Sequence, residues 1–421
     1  MPSSSAKDFL LASKRCEIAN LEELLMTGEL VRSISQLVHM LQRERGLTNV
    51  FIASEGNRFG LQRLEQIEHC KQQELLLRQR FAALDLGNCH QSGSVRLYTR
   101  IAYVIHGLDS LFDIRERAVN LRIKVKEFTR LMSDLIAGLL SVVFEAADTA
   151  TDPDITRALV AMFNFMQGKE LAGQERAWGA SGFAAGHFEL EDQQKLHHLI
   201  EAQARCFETF ADHSSPGPLA RWEALMVHEC SSELNRLRKI VARSNASELV
   251  PSAFSELWYE VATCRIDSLK EIEELLASDL LSLCQLKLDG AKCDLRNHHY
   301  LLNCLNSETL NASLSFLRES AHGYDASKLD EMPPMGRSVY ELLKVQSLRL
   351  QEVSDELQQA RQALVERKII ERAKGLLIDY QGLTEEQAYR QIRQSAMEQN
   401  LRLLDVAEII IERTNMLLRK K

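Results

Sequence analysis

Proline and glycine are scarce in this sequence, seven and nineteen among 421 residues, while Leu, Ala, Glu, Gln and Arg abound. That balance argues against a strand-and-turn architecture and for a nearly all-helical chain. Apolar runs long enough to span a membrane, ~18 residues, are missing. The opening MPSSSAKDFLLASKR lacks the basic-then-apolar order of a secretory signal, so the expected location is the cytoplasm. Nine cysteines are scattered with no C-x-x-C pair, which removes the usual zinc and thiol-redox motifs and suits small apolar residues in a reducing compartment. The doublets His197-His198 and His298-His299 are poor chelates, because neighbours on a helix point ~100° apart. No Gly-rich phosphate loop, G-x-S-x-G or metal-ligand spacing is present, so no catalytic residues, metal or cofactor are expected and the chain does not read as an enzyme.

What is there is length, helical periodicity and uneven charge. The chain exceeds one ordinary core, and two or three domains are expected. Formal net charge is −8. Residues 361–421 hold twelve Lys+Arg and nine Asp+Glu, hence +3, leaving −11 for the rest. A basic tail favours phosphate while an acidic body opposes it, which suits a body able to restrain its output.

Helical patterns run over about 21–53, 60–85, 95–120, 123–147, 154–182, 189–212, 218–244 and 251–289, with one or two more in 295–320. Their breaks include Glu55-Gly56-Asn57, Asp152-Pro153-Asp154 and Gly182 to Gly186. The expected fold is all-α: long antiparallel helices in two four-helix bundles over 1–320, a linker at 321–338, a coiled-coil helix at 339–365, and a small three-helix bundle at 360–421. The coiled coil rests on Val339, Leu343, Gln346, Leu350, Val353, Leu357, Ala360 and Leu364, spaced 4, 3, 4, 3, which asks for a partner helix, either a second copy of the chain or the N-terminal domain.

Arginines occupy apolar stripes. Arg45 follows Leu30, Ile34, Leu37 and Leu41, and Arg176 follows Leu159, Met162, Met166 and Gly173 at helical spacing. Arg236 and Arg238 border the stripe Val227, Leu234, Leu237, Val241. The two segments QRERGLTNVFIASEG (42–56) and GQERAWGASGFAAG (173–186) echo one another about 131 residues apart. Guanidinium groups sharing an interior repel unless an anion or carboxylates lie between them. Glu44, Glu170, Glu175 and Glu233 are at hand to neutralise them, so an anion site and plain internal pairing both remain open.

Near the end, VERKIIERAKGLLIDYQGLTEEQAYRQIRQSAM (365–397) reads as two amphipathic helices. Ile369, Ile370, Ala373, Leu376 and Leu377 face a core, while Thr384 and Gln387 form a capping box. Arg367, Lys368, Arg372 and Lys374 lie largely off the apolar face. Tyr389 and Arg393, four apart, pair a stacking ring with a donor, and Ala373 and Gly375 form a small-residue patch beside Lys374. Charged faces are commonly just solvated, and Glu366, Glu371, Glu385 and Glu386 stand ready as partners.

The order Leu364, Arg367, Ile370, Ala373-Lys374-Gly375-Leu376-Leu377, Gly382, Glu385, Ala388-Tyr389, Arg393, Ala396-Met397 and Leu404-Asp405-Val406-Ala407 resembles the ANTAR family of RNA-binding antitermination domains. Residues from roughly 30 to 280 resemble the NIT domain, a helical nitrate- and nitrite-sensing module marked by Glu44-Arg45-Gly46 and echoed at Glu175-Arg176-Ala177. The whole layout resembles NasR-type nitrate-responsive transcription antiterminators. That resemblance implies nitrate or nitrite at Arg45, Arg176 and Arg236, with Arg43 as a further candidate and Arg238 placed as well as Arg236. It implies contact with paired hairpins of leader mRNA through Arg367, Lys368, Arg372, Ala373, Lys374, Gly375, Tyr389 and Arg393. A homodimer is expected, with the RNA polymerase elongation complex affected indirectly. The rival readings are an antiterminator of the same output answering a different small anion or metabolite, and a helical protein-interaction scaffold.

Overall fold

A computed structural model describes residues 6–84, 94–243, 250–251, 253–304 and most of 354–418. Among these residues there is no strand. The linker at 321–338, the coiled-coil seam up to Val353 and Arg367 lie outside the described residues.

Helix α1 (Ala6–Ala53) is longer than its sequence pattern, and it ends where Glu55 and Gly56 adopt positive φ. Helices α2 (Gly60–Ala82), α3 (Ser94–Asp109), α4 (Leu111–Val119) and α5 (Val125–Thr149) follow. The single helix expected at 95–120 is thus two, broken at Ser110. Helix α6 (Pro153–Ala185) starts at Asp152, whose side chain accepts from the backbone N–H of Asp154 and Ile155 at 3.0 Å each. Pro153 sits at the first turn, where its missing N–H costs nothing. Lys287 then ties Asp152 and Asp154 to the far helix at 2.7 and 2.6 Å.

Helix α7 (Leu190–His213) returns along α6, and α8 (Pro216–Val227) and α9 (Glu229–Arg243) replace the one helix expected at 218–244. The break is at His228, extended at ψ 151°, whose ring Nδ1 accepts from the N–H of Cys230 (3.2 Å). Val227, assigned above to the inner stripe, is therefore exposed, while Leu234, Leu237 and Val241 stay buried. Helix α10 (Phe254–Cys304) runs the length of the domain.

Helix α1 packs on α2, α5 and α10, α5 on α3 and α6, and α6 on α7 and α10. One continuous apolar core runs through these helices, from Leu21 on α1 to Ala291 on α10. A smaller core around Phe183, Phe188, Leu237 and Trp258 closes one end. There a Cβ at Gly179 would fall 2.1 Å from the Trp258 ring, so only glycine lets α6 and α10 meet so closely. The C-terminal part holds α11 (368–378), α12 (Glu385–Gln399) and α13 (Leu403–Leu418), joined over Ala373, Leu377, Ala388, Ile392, Ala396, Val406 and Ala407.

Candidate anion site and nucleic-acid interface

The two Glu-Arg segments lie on α1 and α6 and meet inside the domain. Glu44, fully buried, accepts a two-pronged bond from Arg115 of α4 (2.8 and 2.8 Å). Glu175 accepts the equivalent fork from Arg238 of α9 (2.6 and 2.6 Å). A second buried arginine stands by each pair, Arg63 near Glu44 and Arg265 near Glu175. Burial, with Arg238 adding repulsion, pulls Arg265 down to about 10, and Gln203 bridges that side by donating to Glu175 (2.6 Å) and accepting from Arg265 (3.1 Å). The sequence echo is thus a repeated device: the glutamate anchors a short helix and the arginine beside it turns to the centre.

At the centre the two halves differ. Arg45, 3% exposed, donates to Glu170 (2.6 and 3.2 Å) and Ser133 (2.7 Å). Glu170 also accepts from Gln42 (2.8 Å) and Gln174 (2.9 Å), filling the roughly four acceptor positions a carboxylate owns. Arg176, 8% exposed, donates to the Thr263 hydroxyl (3.0 Å) and lies over the Tyr259 ring (5.1 Å). No carboxylate among the described residues reaches it within ion-pair distance. Burial lowers its affinity for its proton and the charge of Arg45 adds to that, outweighing the opposite pull of Tyr259, Asp267 and Glu170. A Cβ at Gly46 would stand 3.1 Å from Arg176 Nη2, and one at Gly173 would stand 3.1 Å from Arg45 Nη2. Each guanidinium therefore crosses to the other helix and lies against its glycine. Two buried guanidinium groups share one buried carboxylate, with the exposed Asp267 acting on Arg176 only from further off, a surplus of buried positive charge that complements a monoanion.

The other two candidates are elsewhere. Arg236 has 54% of its side chain exposed and forks onto Glu233 one turn earlier (2.6–3.0 Å). On α9 the buried face runs through Leu234, Leu237 and Val241, and it is Arg238, the alternative the spacing offered, that goes with it. Arg43 faces solvent. Missed altogether were Tyr259, Thr263 and Arg265, whose 3–4 spacing with Trp258, Ala262 and Ile266 marks them as part of the inner face of α10.

A second buried polar layer lies along α1, α6 and α10. Lys169 and Glu273, both wholly buried, pair at 2.7 Å, with Lys270 (3.0 Å) and Ser35 also on Glu273. Burial pushes the Glu273 carboxyl up, but the two lysines prevail and hold it at about 2. Burial, then Lys169, pushes His39 down to about 3.

The C-terminal bundle turns its basic side to the N-terminal domain. Arg393 reaches Glu201 of α7 (2.6 Å), Arg390 reaches Gln194 (2.9 Å) and Lys368 reaches Asp148 of α5 (3.0 Å). Tyr389, 8% exposed, sits between Arg205 (4.8 Å to the ring centre) and His198 (5.3 Å between rings). Lys374 pairs with Glu371 (2.8 Å), Arg372 is exposed, and Gly375 faces open space. Ala373 is a correction: at 0% exposure it belongs to the core with Leu377 and Ile392, so it forms no surface patch with Gly375. In this arrangement Tyr389 and Arg393 are occupied by the domain they follow.

Comparison with known proteins is consistent over nearly the whole chain. Residues 36–281 match the family model NIT, described as nitrate and nitrite sensing, and residues 358–411 match the ANTAR domain. A nitrate regulatory protein of Klebsiella oxytoca is 32% identical over 411 residues, 96% of this chain and 94% of that protein. The solved structure of the NasR transcription antiterminator is similar over 97% of this chain and 99% of its own, with TM-score 0.61 and 30% identity.

Proposed function

This chain belongs to the nitrate and nitrite sensing (NIT) family and ends in an ANTAR domain, and on that premise we propose that it is a nitrate-responsive transcription antitermination regulator whose sensor restrains its own RNA reader. Nitrate or nitrite binds between Arg45 and Arg176, taking the open N–H groups of Arg176 and sharing Arg45 with Glu170. Nitrate spreads one charge over three weakly basic oxygens, so several forked donors in a dry interior matter more than one strong bond. The observation that carries this is Arg176 itself, a buried guanidinium without a carboxylate beside a second one whose carboxylate is saturated.

The output follows from the docked face. The leader RNA needs Tyr389 for stacking and Arg393, Lys368 and Arg372 for phosphates and bases, and three of these four are held by the sensor. Docked and RNA-bound states exclude one another, so an anion that favours the undocked state raises RNA affinity, and RNA reciprocally raises anion affinity. We place the protein in the cytoplasm, acting on nascent leader hairpins and so indirectly on the elongating polymerase. Its heptad seam at 339–364 supports a homodimer.

The test is a gel shift with two-hairpin leader RNA, with and without nitrate. Wild type binds tightly only with nitrate, whereas Glu201→Ala binds substantially without it. Nitrate-independent binding by wild type, or a Glu201→Ala variant as tightly gated as the parent, sinks the reading.

A further inference from the structure

A cavity of about 770 Å³ lies at the seam between α3 and α5 of the sensor and α11 of the reader. Its size falls in the ~300–1,000 Å³ range of small-molecule sites and far exceeds the needs of a triatomic or tetra-atomic anion. Cations outnumber acids in its lining, Arg96 and Arg100 from the sensor and Lys368 and Arg372 from the reader against Glu145 and Glu371, the latter paired with Lys374, and Phe144 forms part of its apolar wall. Phe144 is braced edge-on by Phe163 at 5.3 Å. The sensor-side ion pairs are long: Arg96 stands 3.7 Å from Asp148 and Arg100 3.9 Å from Glu145.

Glu145 is the informative residue. It is buried, lines the cavity, and its Oε2 has no hydrogen-bond partner. A buried carboxylate oxygen left without a donor is costly, and a ligand donor is the obvious remedy. A carboxylate accepts only, so its natural counterpart is an edge carrying two adjacent N–H donors. Among nucleobases guanine offers that edge, through N1–H and the 2-amino group. Adenine sets an acceptor beside its single amino group, cytosine does likewise, and uracil flanks one N–H with two carbonyls.

We propose that this seam is a binding site for a guanine nucleoside diphosphate or triphosphate. Glu145 receives the base edge with Arg100 beside it, Phe144 lies against the ring, and the phosphates lie among Arg96, Lys368 and Arg372. Because the walls come from both domains, the bound nucleotide stabilises the docked arrangement and opposes release of the RNA reader. The site is separate from the arginine pair, so nitrate binding and nucleotide binding fail independently.

Calorimetric titration of the full-length protein with GDP tests it, with ADP and inosine diphosphate as comparisons. The expected result is one GDP per chain, at least tenfold weaker binding of ADP and of inosine diphosphate (which lacks the 2-amino group), and a loss of at least tenfold in Glu145→Gln and in Arg100→Ala. GDP should also weaken leader-RNA binding in the gel shift, while Glu145→Gln gives up only the long 3.9 Å contact with Arg100 and should melt close to the parent. No heat at millimolar GDP, equal binding of ADP, or an unchanged affinity in Glu145→Gln overturns the proposal. Should Glu145→Gln fail to fold, the inosine comparison on the wild-type protein decides it.

Discussion

The segments Glu44-Arg45-Gly46 and Glu175-Arg176-Ala177 share a sequence pattern and a position inside the sensor, yet end in opposite electrostatic states. Both glutamates are forked by an arginine from a short helix, Arg115 or Arg238. Both arginines cross to the opposite glycine, Gly173 or Gly46. The difference is Glu170, six residues before Arg176 and bonded to Arg45. The position six residues before Arg45 is His39, which burial keeps neutral. One half of the pseudo-repeat is therefore neutralised and the other holds its charge open. A duplicated scaffold with one missing carboxylate is a simple way to build a monoanion site.

The comparison breaks most sharply in stability. Arg45→Met strands Glu170 in the core and should destabilise by ~3–5 kcal/mol in denaturant unfolding. Arg176→Met removes a charge that has no carboxylate, and in nitrate-free buffer it should melt at or above the parent. If both variants lose the same stability, Arg176 has a partner and the asymmetry is not real.

Affinity comes next. Arg176→Ala should cost ~2–5 kcal/mol of anion binding, about 30-fold or more in calorimetric titration with nitrate. Arg176→Lys should recover little of it, because the ammonium keeps the charge but not the fork. Near-parental binding by Arg176→Lys would show that charge alone suffices.

The pH profile tests His39. His39 is held near 3 in the folded state and titrates around 6.5 when unfolded, so the unfolded chain takes up more protons across that window and stability falls as pH drops. Between pH 6.5 and 5 the loss from this group should be ~2 kcal/mol. Glu273, held at about 2, adds to the loss only below its ordinary carboxylate value. His39→Gln should flatten the upper part of the curve in thermal melts from pH 7 to 5; an unaltered slope would remove His39 as its cause.

The smallest effects separate the two arginines of α9. Arg236→Ala should change stability and nitrate affinity hardly at all, within ~0.5 kcal/mol, as an exposed pair would. Arg238→Ala leaves buried Glu175 with Gln203 as its bonded partner and Arg265 nearby, and should destabilise clearly. Equal consequences for the two would undo the assignment of the buried face.

Much of this molecule was legible in its residues. Proline and glycine placement gave the breaks at Glu55, Asp152 and Gly186, because capping and left-handed geometry are local. Arg45 and Arg176 announced themselves because a guanidinium in an apolar stripe violates the pattern around it, and the surplus of base after residue 361 over an acidic body is in keeping with the pairs Arg393–Glu201 and Lys368–Asp148 without saying which faces meet. Two families of fixed-spacing residues supplied the function.

Pairing was decided only by the tertiary structure. Sequence presented four glutamates and several arginines at helical spacing, and periodicity places a side chain on a face without saying which distant helix confronts it. That Glu170 goes to Arg45 and not to Arg176, that Arg238 and not Arg236 reaches Glu175, and that Thr263 and Tyr259 stand against Arg176 all follow from crossings between α1, α6, α9 and α10. A buried charge is energetically defined by neighbours within a few ångströms, and in a bundle of long helices those neighbours lie more than a hundred residues away along the chain.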